Sequence, residues 1–122
     1  MRQTVSSAWL TGLAGASAVI LGAFGAHALR DTLDARGIEL WHTAVQYHFW
    51  HALALGVATF ATGRSARWAG ILFAVGIVLF SGSLYALALG APRWCGAITP
   101  LGGVAFIAGW VVLGLALRKS DA

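Results

Sequence analysis

Four long apolar runs, 8–29, 44–62, 68–89 and 97–117, set the terms for any fold this chain can adopt. A bilayer core about 30 Å thick is crossed by about 20 residues at about 1.5 Å of helical rise each, and each run has that length. Inside hydrocarbon the backbone must satisfy its own hydrogen bonds, so each run predicts a helix. No stretch of about ten residues alternates apolar and polar positions, which argues against a β-barrel. The connections are short and hold most of the charge: Arg30, Asp31, Asp34, Arg36 and Glu39 in the first, Arg64 and Arg67 in the second, Arg93 in the third. Short connections force neighbours antiparallel. The predicted fold class is therefore an all-α membrane protein, a single domain over 1–122 forming an antiparallel four-transmembrane-helix bundle.

Composition closes the soluble alternative. The chain is 59% hydrophobic and 10% charged, whereas soluble domains carry about 25% charged residues. Mean hydropathy is +0.79 and the sequence pI about 10.3. The net charge of +4 does not point to nucleic acid, because the basic residues punctuate the apolar runs and form no stripe. The lone Cys95 permits no intrachain disulfide and reads as a small interfacial residue. Arg2, the following apolar stretch and Ala26-His27-Ala28 resemble a cleavable signal. A signal's apolar region is about 7–15 residues, however, and this run is longer, so the expectation is a retained span.

Basic residues in short loops mark the cytoplasmic side. Arg2, Arg64, Arg67, Arg118 and Lys119 fall on one side; Arg30, Arg36 and Arg93, offset by acids, fall on the other. Both termini are thus expected in the cytoplasm of a bacterium, with the chain multi-pass in the cytoplasmic (inner) membrane. Trp9 and Trp68 would then sit at the inner interface, and Trp41 and Trp94 at the outer one. Glycines and alanines in stripes, such as Gly15, Ala18 and Gly22, or Gly102, Ala105 and Gly109, predict close helix contacts.

The polar side chains of the runs gather at one depth. His27 ends the first run; Gln46, Tyr47, His48 and His51 open the second; Ser81, Ser83 and Tyr85 close the third; Thr99 opens the fourth. All lie toward the outer leaflet, where unpaired polar groups are costly. Tyr47, His48 and His51 share one sector of their helix, and Ser81 and Tyr85 share one face of theirs. His27 points away from Ala18 on its own helix. The reading that follows is a polar crevice where His27, His51, Ser81 and Tyr85 converge. Two histidines at i, i+3 with His27 could ligate a metal, and Glu39-x-x-His42 has a carboxylate–histidine metal spacing, but a single copy without an intramembrane acid is a weak signal. Histidine could also relay protons or act as a general base. A proton-coupled transporter would need an acid deep in the bilayer, and all four acids lie outside the runs.

Several segments together resemble a known family. LGAFGAHA at 21–28, Gln46-Tyr47 with HALA at 51–54, FSGSLY at 80–85, and ITPLGG at 98–103 with Gly109-Trp110 are similar to the YgdD/YwdK-like family of small bacterial membrane proteins. That family is a domain of unknown function related to a eukaryotic transmembrane protein. The resemblance implies four spans and a multi-pass membrane location, and it supplies no activity, cofactor or catalytic residue. His42 and His48 fall outside its pattern. The candidate binding site is accordingly His27, Gln46, Tyr47, His51, Ser81, Ser83, Tyr85 and Thr99.

The expected function is a binding or accessory membrane protein whose outer-leaflet crevice takes a lipid or small amphiphile, or which joins a larger membrane complex or a homo-oligomer. A His-dependent membrane enzyme or metal protein, and a small oligomeric transporter, are the alternatives. No cofactor and no metal are predicted. The expected partner throughout is the lipid bilayer, with no nucleic acid.

Overall fold

A computed structural model describes residues 5–120, so Arg2 lies outside the described residues. The chain is all helix there: α1 (Val5–His27), α2 (Ala35–Thr59), α3 (Gly63–Ala88) and α4 (Thr99–Ser120), with a short 3-10 turn at Arg93–Ala97 before α4. Three helical stretches are long and apolar enough to cross a membrane: Ser7–His27, Gly63–Ala88 and Arg93–Arg118. α2 has the length but not the composition, because Arg36, Glu39, Gln46 and three histidines interrupt it.

Local chemistry sets the ends. The carboxylate of Asp34 caps α2 by accepting the Gly37 N–H at 2.7 Å, which satisfies a donor that the first helical turn leaves free. The cap explains why α2 starts at Ala35, well before the expected 44: the segment read as a loop is the polar first turns of the helix. Arg36 and Glu39 pair there at 3.1 Å, but both are largely exposed, and such a pair contributes at most about 1 kcal/mol. At the end of α3, Gly90 adopts φ +101°. The Gly90 N–H then reaches the Leu87 carbonyl, and the Ala91 N–H reaches that of Ala86. This left-handed cap stops the helix ahead of Pro92.

Contacts between consecutive helices run in opposite directions. Gly25 lies on Trp41 and Gly22 on Val45 between α1 and α2, Gly70 on Leu55 between α2 and α3, and Gly76 on Phe106 and Gly109 on Phe73 between α3 and α4. α1 packs chiefly on α2, whereas α2 and α3 each have neighbours on two sides. The main core is correspondingly Ala52, Leu55, Ala58, Ala69, Phe73, Phe106 and Leu113, shared by α2, α3 and α4. Trp9, Trp68 and Trp94 are exposed as expected, but Trp41 is only 3% exposed. It is not a belt residue: Gly25 leaves a slot for its ring, and its Nε1–H donates to the Leu21 carbonyl at 2.9 Å.

The sequence pattern does not foretell a π turn at Ile77–Ser81 inside α3. Buried positions step regularly through Ala66, Ala69, Phe73 and Gly76, then jump five residues to Ser81 before resuming at Leu84 and Ala88. One inserted residue turns the C-terminal third of the helix, so that Ser81 faces α2 while Phe80 meets α4. At that place the Phe80 backbone rests directly on Gly102.

Of the small-residue stripes, Gly22, Ala18, Gly102 and Gly109 face neighbouring helices, whereas nothing stands within 4 Å of a Cβ at Gly15. Gly102→Leu should therefore lower stability by at least about 1–3 kcal/mol, because the intruding atoms meet backbone that cannot swing aside. Gly114→Leu, which points into open space, should leave thermal denaturation in detergent unchanged. Equal melting temperatures for both variants would contradict the packing.

Candidate functional site

The polar residues of the four helices form three separate groups. The first runs across α1, α2 and α3. His48 is 4% exposed; its Nε2 lies 3.0 Å from Ser17 Oγ and its Nδ1 2.8 Å from Tyr85 Oη. Ser17 Oγ also lies 3.1 Å from the Ala14 carbonyl. Counting protons fixes the direction. A carbonyl only accepts, so Ser17 donates to Ala14 and accepts from His48 Nε2–H. His48 Nδ1 then accepts from Tyr85 O–H, and no proton is left unpaired. The reverse arrangement would strand the tyrosine proton in a buried site. Trp41 covers one side of this chain, its ring 4.7 Å from that of Tyr85. Tyr85 can reach His48 from the C-terminal end of α3 because helical side chains lean toward their own N-terminus.

The second group joins α2 to α4. His51 Nδ1–H donates to the Tyr47 carbonyl at 2.7 Å, and its Nε2 accepts from Trp110 Nε1–H at 3.1 Å. The ring lies flat on Phe106, with centroids 3.6 Å apart. The two histidines, one helical turn apart, therefore hold opposite neutral tautomers and face different helices. The third group is local packing: Ser83 bonds to Thr99 between α3 and α4, and Ser81 donates to the Ala44 carbonyl at 2.8 Å.

The expected convergence of His27, His51, Ser81 and Tyr85 does not occur. Ser81 and Tyr85 do face α2, but the histidine that meets Tyr85 is His48, not His51. His27 ends α1 exposed and, among the described residues, without a side-chain partner. Gln46 is likewise exposed and unpartnered. Glu39 is engaged with Arg36, and His42 is exposed. Among the described residues no three His, Cys, Asp or Glu side chains gather as a metal would require.

Ser17 is the residue that sequence reasoning missed; His48 counts in the polar cluster but stands outside the candidate site because it falls outside the family pattern. The signal was available in the register: if Gly25 and Gly22 face Trp41 and Val45, then Ser17 falls beside His48. Phe106 and Trp110 also belong to the site as partners of His51; Trp110 lies in one of the family-like segments, and nothing in its apolar surroundings marked Phe106.

Beside the second group lies a groove of about 780 Å³ between α2 and α4 with Phe80 of α3 behind it. Tyr47, Trp50, His51, Phe106 and Trp110 give it aromatic walls, and Gly103 leaves it open. The His51 nitrogens are taken up within the protein. Neither the Tyr47 hydroxyl nor the Trp50 indole N–H has a partner among the described residues, so they are the free polar groups of an otherwise apolar surface.

Apolar exteriors, internally paired polar groups and helices of spanning length define this molecule as a helical integral membrane protein. Comparison with known proteins agrees. The chain belongs to the family described as "Protein of unknown function (DUF423)", whose model matches residues 21–103. The UPF0382 membrane protein YwdK of Bacillus subtilis is 50% identical over 107 residues, covering 84% of this chain and 87% of that protein. A UPF0382 membrane protein of Staphylococcus epidermidis is 50% identical, over 84% of this chain and 86% of its own. The UPF0382 inner membrane protein YgdD of Escherichia coli is 44% identical, over 78% and 76%. No solved structure matches.

The separation of the first two groups can be measured. Tyr85→Phe and Trp110→Phe should each cost roughly 0.5–2 kcal/mol in detergent, the range for hydrogen bonds between membrane helices. The double variant should lose the sum to within about 0.5 kcal/mol, since the sites share no partner. A larger coupling energy would show one network rather than two.

Proposed function

We propose that this protein is a four-span helical bundle of the bacterial inner membrane that binds the hydrocarbon part of a lipid or small amphiphile in the groove between α2 and α4. The observation that carries the reading is the character of that groove. Its volume of about 780 Å³ falls within the 300–1,000 Å³ or so of ligand pockets. Its walls are aromatic and aliphatic, and its unpartnered polar groups among the described residues are the Tyr47 hydroxyl and the indole N–H of neighbouring Trp50. A chain-like molecule with a single polar end fits that pattern, with the polar end at Tyr47. The groove opens between helices rather than to water, so the bilayer would supply the occupant. The role is binding or accessory: the buried histidines are engaged within the protein, and their hydrogen bonds serve to hold helices together.

α2 counts as a span in this reading despite its composition. It is flanked by α1 and α3 and touches α4, so its histidines need not meet lipid. With four spans both termini lie on one side, and the excess of Arg64, Arg67, Arg118 and Lys119 over Arg30, Arg36 and Arg93 assigns that side to the cytoplasm. A reporter enzyme active only in the periplasm, fused after Ala122, should therefore be silent. Activity there would overturn the topology.

The ligand assignment is tested by native mass spectrometry from mild detergent. The wild-type chain should retain a bound amphiphile. Gly103→Leu, which fills the groove without striking backbone, should lose most of it, and Gly114→Leu should keep it. Equal retention by Gly103→Leu and the wild type would place the ligand elsewhere.

A further inference from the structure

A second groove, of about 450 Å³, runs between α1 and α2, with Trp50 between it and the first. Its walls are Ala18, Gly22 and Ala23 of α1 and Val45 and Phe49 of α2, and Gln46 lies in it. Gln46 is exposed, and among the described residues its amide has no hydrogen-bond partner. In the four-span reading, on which this inference rests, that amide is deep. Gly22 faces Val45, so Gln46 is level with the middle of the stretch between Ala18 and Gly22. That is six or so residues short of the end of α1 at His27, or roughly 10 Å at about 1.5 Å per residue. A glutamine side chain is too short to reach the interface from there, and lipid tails offer it neither donor nor acceptor.

We infer that the α1–α2 groove is a homodimer interface in which the Gln46 amides of two copies pair with each other. An amide carries both a donor and an acceptor, so two of them satisfy one another reciprocally. Two copies inserted in the same sense are related by an axis along the membrane normal, which keeps every residue at its own depth. Gln46 thus finds its partner at the level where it is needed. The small side chains of Ala18, Gly22 and Ala23 let the second copy approach closely, as at other interfaces where a polar pair holds membrane helices. A phospholipid in the same groove would leave the amide unpaired.

The test is disulfide crosslinking of the full chain in membranes, with Cys95→Ser as background. Oxidation should convert most of the Gln46→Cys protein to a covalent dimer. Val104→Cys, on an exposed face of α4, should remain monomeric. In detergent, Gln46→Leu should weaken the dimer about tenfold. Crosslinking of Gln46→Cys at the Val104→Cys level, or to a product whose mass is not twice the chain, would overturn the homodimer. A membrane-impermeant maleimide separates this failure from that of the four-span reading. Ready labelling of Gln46→Cys from water would put α2 outside the bilayer, whereas no labelling and no crosslink would reject the dimer alone.

Discussion

An unpaired polar group in hydrocarbon has nowhere to turn, and the arrangement of the helices follows from that. α2 carries more polar side chains than any other helix of the chain, among them His48 and His51. It also has protein on both flanks, as α3 does. His48 is satisfied by Ser17 on one side and Tyr85 on the other, and His51 by the Tyr47 carbonyl and Trp110. The Tyr47 carbonyl belongs to α2 itself, but Ser17, Tyr85 and Trp110 lie on three different helices, so the polarity of α2 specifies its neighbours. In lipid the apolar contacts alone would do this poorly, since a leucine gains little by leaving acyl chains for another leucine.

The close approach of helices is the second requirement, and it is met at a few points by backbone. Trp41 fits because Gly25 has no side chain, and Phe80 reaches α4 because Gly102 has none. The π turn at Ile77–Ser81 links the two demands. Without its extra residue, Ser81 and Tyr85 would rotate away from α2 whenever Phe73 and Gly76 faced α4. With it, one helix serves both neighbours.

Much of this was legible in the sequence. Spanning lengths, the order of the helices, their antiparallel neighbours and the family were readable from the apolar runs, the short connections and motifs such as FSGSLY. The depth of the polar residues was readable too, but depth is not azimuth. Placing His51, Ser81 and Tyr85 in one leaflet says nothing of which neighbour each faces, and the inserted residue in α3 shifted the phase that a uniform 100° step assumes. His27 shows the same gap: it ends α1 on an exposed face, away from the other polar residues. Trp41 could not be told from an interfacial tryptophan, because the slot that receives it belongs to another helix. The groove between α2 and α4 is a property of spacing between helices, which no local pattern records.

Ser17 bonds back to the Ala14 carbonyl of its own helix as well as meeting His48. That double role bears on the order in which the chain is assembled. α1 leaves the ribosome before α2, and it packs chiefly on α2, so it must wait until α2 arrives. Its hydroxyl is quenched during that wait, and it still has a lone pair to offer. His48 then arrives on α2 with an acceptor already in place, and Tyr85 completes the chain one helix later. The polar thread through the protein is built in the order of synthesis, and at no stage does α1 stand in lipid with an unmet serine.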